Sequence, residues 1–343
     1  MIRVLVVEDS TTARTLLVSI LRGDPAIEVV GEATNGEEGV RLADRLRPDV
    51  VTMDVQMPLL DGIQATKRIM EIAPTRVIVV SASHFDDVGA SMEAIRAGAL
   101  TVLDKPLGPG SPEFDDLSAR LVDSVKSLSK VKVVRRWSER PRESSAPRVE
   151  TRPGSARIVA IATSTGGPAA LHRILSRLPK DFGVPILVVQ HIALGFGKGF
   201  AEWLATAGPL RVKIAGNGER LEPGVVYIAP DDLHLGVSDA NTVLTSNRPP
   251  IAGFRPSGTF LFQTVADIFG PKAAGVVLTG MGTDGLDGLR ALKAAGGVIL
   301  AQDEPSSVVF GMNAAAIEAN LADEVVALED VPSRLLSLVV SRN

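Results

Sequence analysis

The 343-residue chain has no cysteine, which rules out disulfides, thiol nucleophiles and thiolate metal sites. That usage fits a reducing compartment. No run of apolar residues approaches the roughly 20 needed to cross a bilayer as a helix. The opening MIRVLVVEDS reaches acidic residues after a short apolar stretch, without the cationic region and long apolar core of a signal peptide. A cytoplasmic protein that inserts into no membrane is therefore expected. A strong charge of either sign is missing too: the formal net charge is -4, which gives no field to hold the whole chain on nucleic acid or anionic lipid. There is no internal repeat, heptad seam or low-complexity tract.

What is present is ordinary globular α/β composition, with 45% hydrophobic and 22% charged residues. The length is about twice that of a typical domain, so two folded units are expected. From residue 1 to about 125, short β-branched runs alternate with stretches that repeat apolar residues at three and four positions. The runs are Ile2 to Val7, Glu28 to Ala33, Val50 to Met53, Val77 to Val80 and Thr101 to Leu103. Five βα units follow, and strands this short and apolar need helices on both faces. The expectation is a doubly wound parallel sheet with its ligands at the carboxyl ends of the strands.

Residues 126–156 break the rhythm. Lys126 to Arg157 carry Pro141, Pro147, Pro153 and ten basic residues against Glu139, Glu143 and Glu150. This reads as a flexible basic linker, either a solvated tether or a docking strip for an acidic partner. From 157 to 343 the pattern resumes with longer units, near Ile158 to Ala162, Ile186 to Val189, Val225 to Ala229, Gly275 to Thr279 and Val298 to Ala301. A second parallel α/β domain is expected.

In the first half the strand ends supply Glu8 and Asp9, then Asp54, Ser81 and Lys105-Pro106. Carboxylates from neighbouring strand ends repel one another unless a hard cation such as Mg²⁺ sits among Glu8, Asp9 and Asp54. Asp54 can then take a phosphoryl group from a small donor, with Lys105 neutralising charge and Ser81 hydrogen-bonding the phosphoryl oxygens. Any one of these residues alone could be a turn or helix cap. Together, with Met57-Pro58 and Asp61-Gly62, they resemble the flavodoxin-like (βα)5 receiver domain of response regulators. One departure stands out: receivers usually carry an aromatic residue two positions before Asp104, and here it is Val102.

In the second half, RIVAIATSTGGPAALHRIL reads as a buried strand, a Gly-containing turn and a helix, with Ser164 in the turn. A side chain there projects from the sheet edge while helix amides point at an incoming oxyanion. A G-x-S-x-G elbow and a Walker lysine are both missing. A serine nucleophile needs a base, and the chain has four histidines: His84, His172, His191 and His234. His191 ends the next strand, ILVVQ, and is the expected base. His84 belongs to the first half, His172 sits two turns into the helix, and His234 lies among turn residues with a smaller claim on the site. Asp284, after GVVLTG, is the expected orienting carboxylate, and Asp287, three residues on, is its rival.

Ser164, His191 and Asp284 would form a nucleophile, base and orienting acid. The segments around them, with Tyr227-Ile228-Ala229-Pro230, Arg255-Pro256-Ser257, Gly280 to Gly285 and Ala301 to Glu304, resemble the catalytic domain of the CheB protein-glutamate methylesterases. The resemblance implies hydrolysis of γ-glutamyl methyl esters on methylated chemoreceptors, deamidation of receptor glutamines, and a CheA-type histidine kinase as phosphodonor. It also implies that the Met281 amide belongs to the oxyanion hole and that the receiver masks the catalytic face until Asp54 is phosphorylated. Nucleic acid is not an implied partner. Four residues depart from the family's usual pattern: Phe254 for His, Gly258-Thr259 for Val-Asp, and Asn313 for Pro; a Pro soon after the histidine is also missing from HIALGFG. These changes suit either an altered receptor preference or drift. Two other readings remain open on sequence: a DNA-binding response regulator, against which no basic recognition helix is found, and a phospho-switched docking protein with a decayed esterase site.

Overall fold

A computed structural model describes residues 1–81, 88–130 and 155–339, with residues 88–92 as backbone only. His84 and most of the expected linker lie outside the described residues. Two compact units fall on either side of residues 131–154.

The first unit alternates strands β1 (Ile2–Val7), β2 (Ile27–Ala33), β3 (Val50–Met53), β4 (Arg76–Ser81) and β5 (Thr101–Asp104) with helices α1 (Thr11–Arg22), α2 (Gly36–Leu46), α3 (Gly62–Ile72), α4 (Val88–Ala97) and α5 (Phe114–Leu128). The strands pair in parallel in the order β2-β1-β3-β4-β5. Val4 to Val7, Val50 to Met53 and Val77 to Val80 are buried at every position. Successive strand residues point to opposite faces, so unbroken burial means that helices cover both. The chain leaves β1 toward β2 and later returns to its other side as β3, which opens a crevice between the ends of β1 and β3. Val102 is buried within β5 opposite Val79.

Helix α5 extends into the stretch expected to be linker. Its Lys126 pairs with Asp24 at 2.9 Å, so this residue belongs to the first unit. The apolar spacing of Leu121, Val125 and Leu128, all buried, explains the extension.

The second unit contains β6 (Ile158–Thr163), α6 (Gly167–Leu175), β7 (Ile186–Gln190), α7 (Gly197–Leu204), β8 (Arg211–Ile214), β9 (Val225–Ile228), β10 (His234–Asp239), β11 (Thr242–Ser246), α8 (Gly258–Phe269), β12 (Ala273–Val277), α9 (Leu286–Ala294), β13 (Val298–Gln302), α10 (Met312–Glu318), β14 (Glu324–Val326) and α11 (Val331–Leu338). Seven strands form a parallel sheet in the order β14-β13-β12-β6-β7-β9-β8. β6 is central, and Ile158 to Ala162 are fully buried. The chain builds outward from β6 through β7 and then returns to its other side as β12, so the ends of β12, β6 and β7 converge.

β10 and β11 form an antiparallel hairpin outside this sheet, which packs Leu235 and Val237 into the core beside α8. His234 begins β10 and is fully buried, stacking on Phe260 at 4.8 Å with Nε2 3.1 Å from the Pro249 oxygen. It is a core residue, not a turn residue near the serine. Among the described residues no helix is long and apolar enough to cross a membrane.

Candidate active site

Asp54 follows β3 and is buried, and Glu8 and Asp9 follow β1 across the crevice. Lys105, after β5, places its ammonium 2.8 Å from Glu8 Oε2 and 3.1 Å from Asp54 Oδ2. Burial pushes the Glu8 and Asp54 carboxyls above their ordinary values, against the pull of Lys105. Burial alone would lower the Lys105 pKa, but hydrogen bonding and charge from the two acids raise it. Oxygens of Glu8, Asp9 and Asp54 lie within 4.8 Å of one another, with Asp9 exposed. Hard oxygen donors with one member open to water suit a hydrated divalent cation. Ser81 ends β4 and is buried, and its carbonyl accepts from the Lys105 amide at 2.9 Å. All five residues expected at this edge are therefore at it.

Ser164 leaves the end of β6, half-buried, into a turn whose Gly166 has a φ of 80° and caps α6. Its amide donates to the Thr279 oxygen at 3.1 Å, which ties it to the strand-end loop after β12. Gly280 must be small here: a Cβ on it would stand 2.8 Å from Ser164 Cβ and 2.9 Å from Ser164 N. Met281 is the next residue. Gly280 itself is pinned, donating to Val309 O at 3.0 Å and accepting from Met312 N at 2.9 Å.

His191 follows β7, its amide donating to Thr163 O at 3.0 Å. The Gln190 side chain spans the two strand ends, donating to Ser164 O at 2.8 Å and His191 O at 2.7 Å. Nothing in the sequence marks Gln190 for this task beyond its place before the histidine. His191 Nε2 lies 2.8 Å from Asp284 Oδ2, and its Nδ1 is buried without a partner.

Asp284 is 5% exposed and sits in a cage that sequence reasoning missed. Ser257 Oγ donates to Oδ1 at 2.6 Å, the Gly258 amide to Oδ2 at 2.6 Å and the Thr259 amide to Oδ1 at 3.3 Å. These donors are the N-cap and first turn of α8, where backbone amides have no intrahelical partners and the dipole favours an anion. Burial alone would raise the Asp284 pKa, but hydrogen bonding and charge from His191, with the Ser257 and Gly258 donors, lower it from 3.8 to about 2. Ser257 ahead of an apolar helix is a legible capping signal; that its anion lies 27 residues away is not.

The remaining candidates separate cleanly. Asp287 is 84% exposed in its side chain and faces Arg290 at 3.6 Å, and His172 packs on Trp203 at 4.8 Å. The departures, by contrast, cluster on the site. Phe254 stacks on His191, Gly258 and Thr259 hold Asp284, and the Thr259 hydroxyl accepts from Gly285 N at 2.9 Å. Asn313 is buried behind them, donating to Gln302 O at 2.8 Å and Ser307 Oγ at 2.7 Å. Phe254, Gly258 and Thr259 thus touch His191 or Asp284 directly.

Residues 159–335 match the family described as CheB methylesterase, and residues 4–111 match the response regulator receiver domain. A protein-glutamate methylesterase/protein-glutamine glutaminase of Myxococcus xanthus (strain DK1622) is 58% identical over 98% of this chain and 96% of its own length. One from Anaeromyxobacter dehalogenans (strain 2CP-C) is 53% identical over 98% of both. The crystal structure of the Thermotoga maritima CheB methylesterase catalytic domain is 41% identical, with a TM-score of 0.53, covering 54% of this chain and all of that one. With a family match across its second half and relatives this similar end to end, the chain belongs to the CheB methylesterases that carry a response regulator receiver domain.

Proposed function

We propose that this enzyme hydrolyses γ-glutamyl methyl esters on chemoreceptors, releasing methanol, and deamidates receptor glutamines, under control of phosphorylation at Asp54. The observation that carries the reading is the buried His191–Asp284 pair at the strand edge shared with Ser164. Ser164 Oγ attacks the ester carbonyl while His191 Nδ1 takes its proton, and the same nitrogen returns it to the departing methoxide. Water repeats the cycle on the acyl-enzyme and regenerates Ser164 with a free glutamate. Asp284 holds the Nε2–H tautomer and stabilises the imidazolium. The Met281 amide, beside Gly280, is assigned to the oxyanion hole.

In the receiver, Asp54 accepts the phosphoryl group from a histidine kinase of the CheA type. Glu8, Asp9 and Asp54 would hold Mg²⁺, which when bound supplies charge neutralisation for the phosphoryl group. Lys105 adds a second positive charge, and Ser81 a hydroxyl donor. The two domains are joined through the basic segment after α5, and phosphorylation relieves masking of the catalytic face. The test is methanol release from methylated receptor membranes. The wild type should release it and Ser164→Ala should not; equal release by both would overturn the assignment.

A further inference from the structure

Phe254 lies flat on the imidazole of His191, with ring centroids 4.3 Å apart and planes inclined by 14°. A tight turn delivers it there. Ile251 and Phe254 exchange both backbone hydrogen bonds, at 3.0 and 2.9 Å. The two residues between them are both left-handed, Ala252 with φ 49° and Gly253 with φ 85°, as a type I′ turn requires. Alanine resists that conformation, so its surroundings impose it, and imposed strain of this kind gathers where geometry serves function.

The next residues fix the other end of the segment. The Arg255 guanidinium makes paired bonds to Asp232 at 2.8 and 2.7 Å and donates to the Asn247 and Arg248 oxygens at 3.2 and 3.3 Å. Ser257, Gly258 and Thr259 then grip Asp284. One short stretch of chain thus holds the histidine by its ring and the aspartate by its carboxylate.

We infer, on the esterase reading above, that Phe254 is a positioning residue for His191. A single hydrogen bond to Asp284 leaves the imidazole free to rock about it; a parallel ring contact removes that freedom and keeps Nδ1 presented to the serine proton. The ring face also favours the imidazolium formed when Ser164 is deprotonated. Phenylalanine carries no exchangeable proton, so it holds His191 through its ring face alone.

The test compares Phe254→Leu, which keeps apolar bulk, with Phe254→Tyr, which keeps the ring, in the full-length protein. Three readouts are taken: phosphonylation of Ser164 by a small fluorophosphonate, kcat and KM for methanol release, and the NMR signal of the His191 Nε2–H proton. Phe254→Leu should slow phosphonylation and kcat about tenfold with KM unchanged, and should broaden the Nε2–H signal by faster exchange, while Phe254→Tyr stays within about threefold of wild type. Should the leucine variant melt early, Phe254→Met repeats the comparison with a flexible side chain. The inference is overturned if the non-aromatic variant matches wild type in kcat and labelling, or if the loss falls in KM alone, which would make residue 254 a substrate contact. A wild type without Ser164-dependent labelling would sink the esterase reading instead, and the Nε2–H signal would still decide the positioning role.

Discussion

Nε2 of His191 meets Oδ2 of Asp284 at 2.8 Å, which leaves Nδ1 as the buried ring nitrogen without a partner. In the usual Ser-His-Asp arrangement the carboxylate holds Nδ1 and Nε2 exchanges the proton. Here Nε2 takes the carboxylate, so on the proposed esterase reading it is Nδ1 that would exchange the proton. Asp284→Asn removes the charge that stabilises the imidazolium and either sets an amide N–H against the Gly258 donor, which favours the inactive Nδ1–H tautomer, or turns that N–H toward the Ser257 and Thr259 donors. Its kcat should fall by about 10³ to 10⁴ with little change in KM. Steady-state methanol release checks this, and a fall of less than about tenfold would contradict the tautomer argument.

The same carboxylate links stability to pH. A carboxyl held at about 2 in the fold against 3.8 for an unperturbed aspartate contributes about 2 kcal/mol. Because the folded value is the lower one, this stability is complete above 3.8 and is lost as pH falls through about 2. The excess of wild type over Asp284→Asn in thermal melts of the second unit should therefore shrink steadily on acidification across that window. An excess that stayed constant would place its origin elsewhere.

Gly280→Ala tests the close approach behind the nucleophile. Its new Cβ would stand 2.6 Å from Met312 Sδ as well as against Ser164, so one of them must move. Overpacking of this kind costs about 1–3 kcal/mol. Activity should suffer more, by about 100-fold, because a displaced nucleophile loses its attack geometry. Fluorophosphonate labelling beside a thermal melt separates the two effects.

Ala252→Gly tests the turn under Phe254. Relief of about 1–2 kcal/mol of left-handed strain, less about 0.5–1 for the added freedom of glycine, leaves a net gain of about 0.5–1 kcal/mol. Chemical denaturation should register that gain with kcat within about twofold of wild type, since the turn already carries one glycine at φ 85°. A loss of stability would mean the Ala252 methyl contributes packing that outweighs its strain.

Much of this arrangement was legible because a parallel sheet sends its strand ends to one edge. Reading only the residues after apolar runs picked out Glu8, Asp9, Asp54, Ser81 and Lys105 in one unit, and Ser164, His191 and Asp284 in the other. What stayed hidden depends on contacts that local patterns do not encode. His234 looks like a turn residue because Pro230, Asp231 and Asp232 precede it, yet the β10–β11 hairpin carries it into the core against Phe260. The Asp284 cage comes from the start of α8, far back in the chain, and the choice of imidazole nitrogen follows from that distant placement. Phe254 was visible as a departure, but its stack on His191 was not. The three-residue strand β14 was too brief to carry a signal, and β8, an edge strand with Arg211 and Lys213 between its apolar residues and no buried position, lacks the apolar run that marked the others.

One assay reads the esterase and its control together: methanol released from methylated receptor membranes by full-length protein with Mg²⁺, with and without a small phosphodonor, for wild type, Ser164→Ala and Asp54→Asn. Release should depend on Ser164 and rise with phosphodonor in the wild type, with no rise in Asp54→Asn. Release that survives Ser164→Ala would contradict the chemistry, and an equal rise in Asp54→Asn would contradict its control through the receiver.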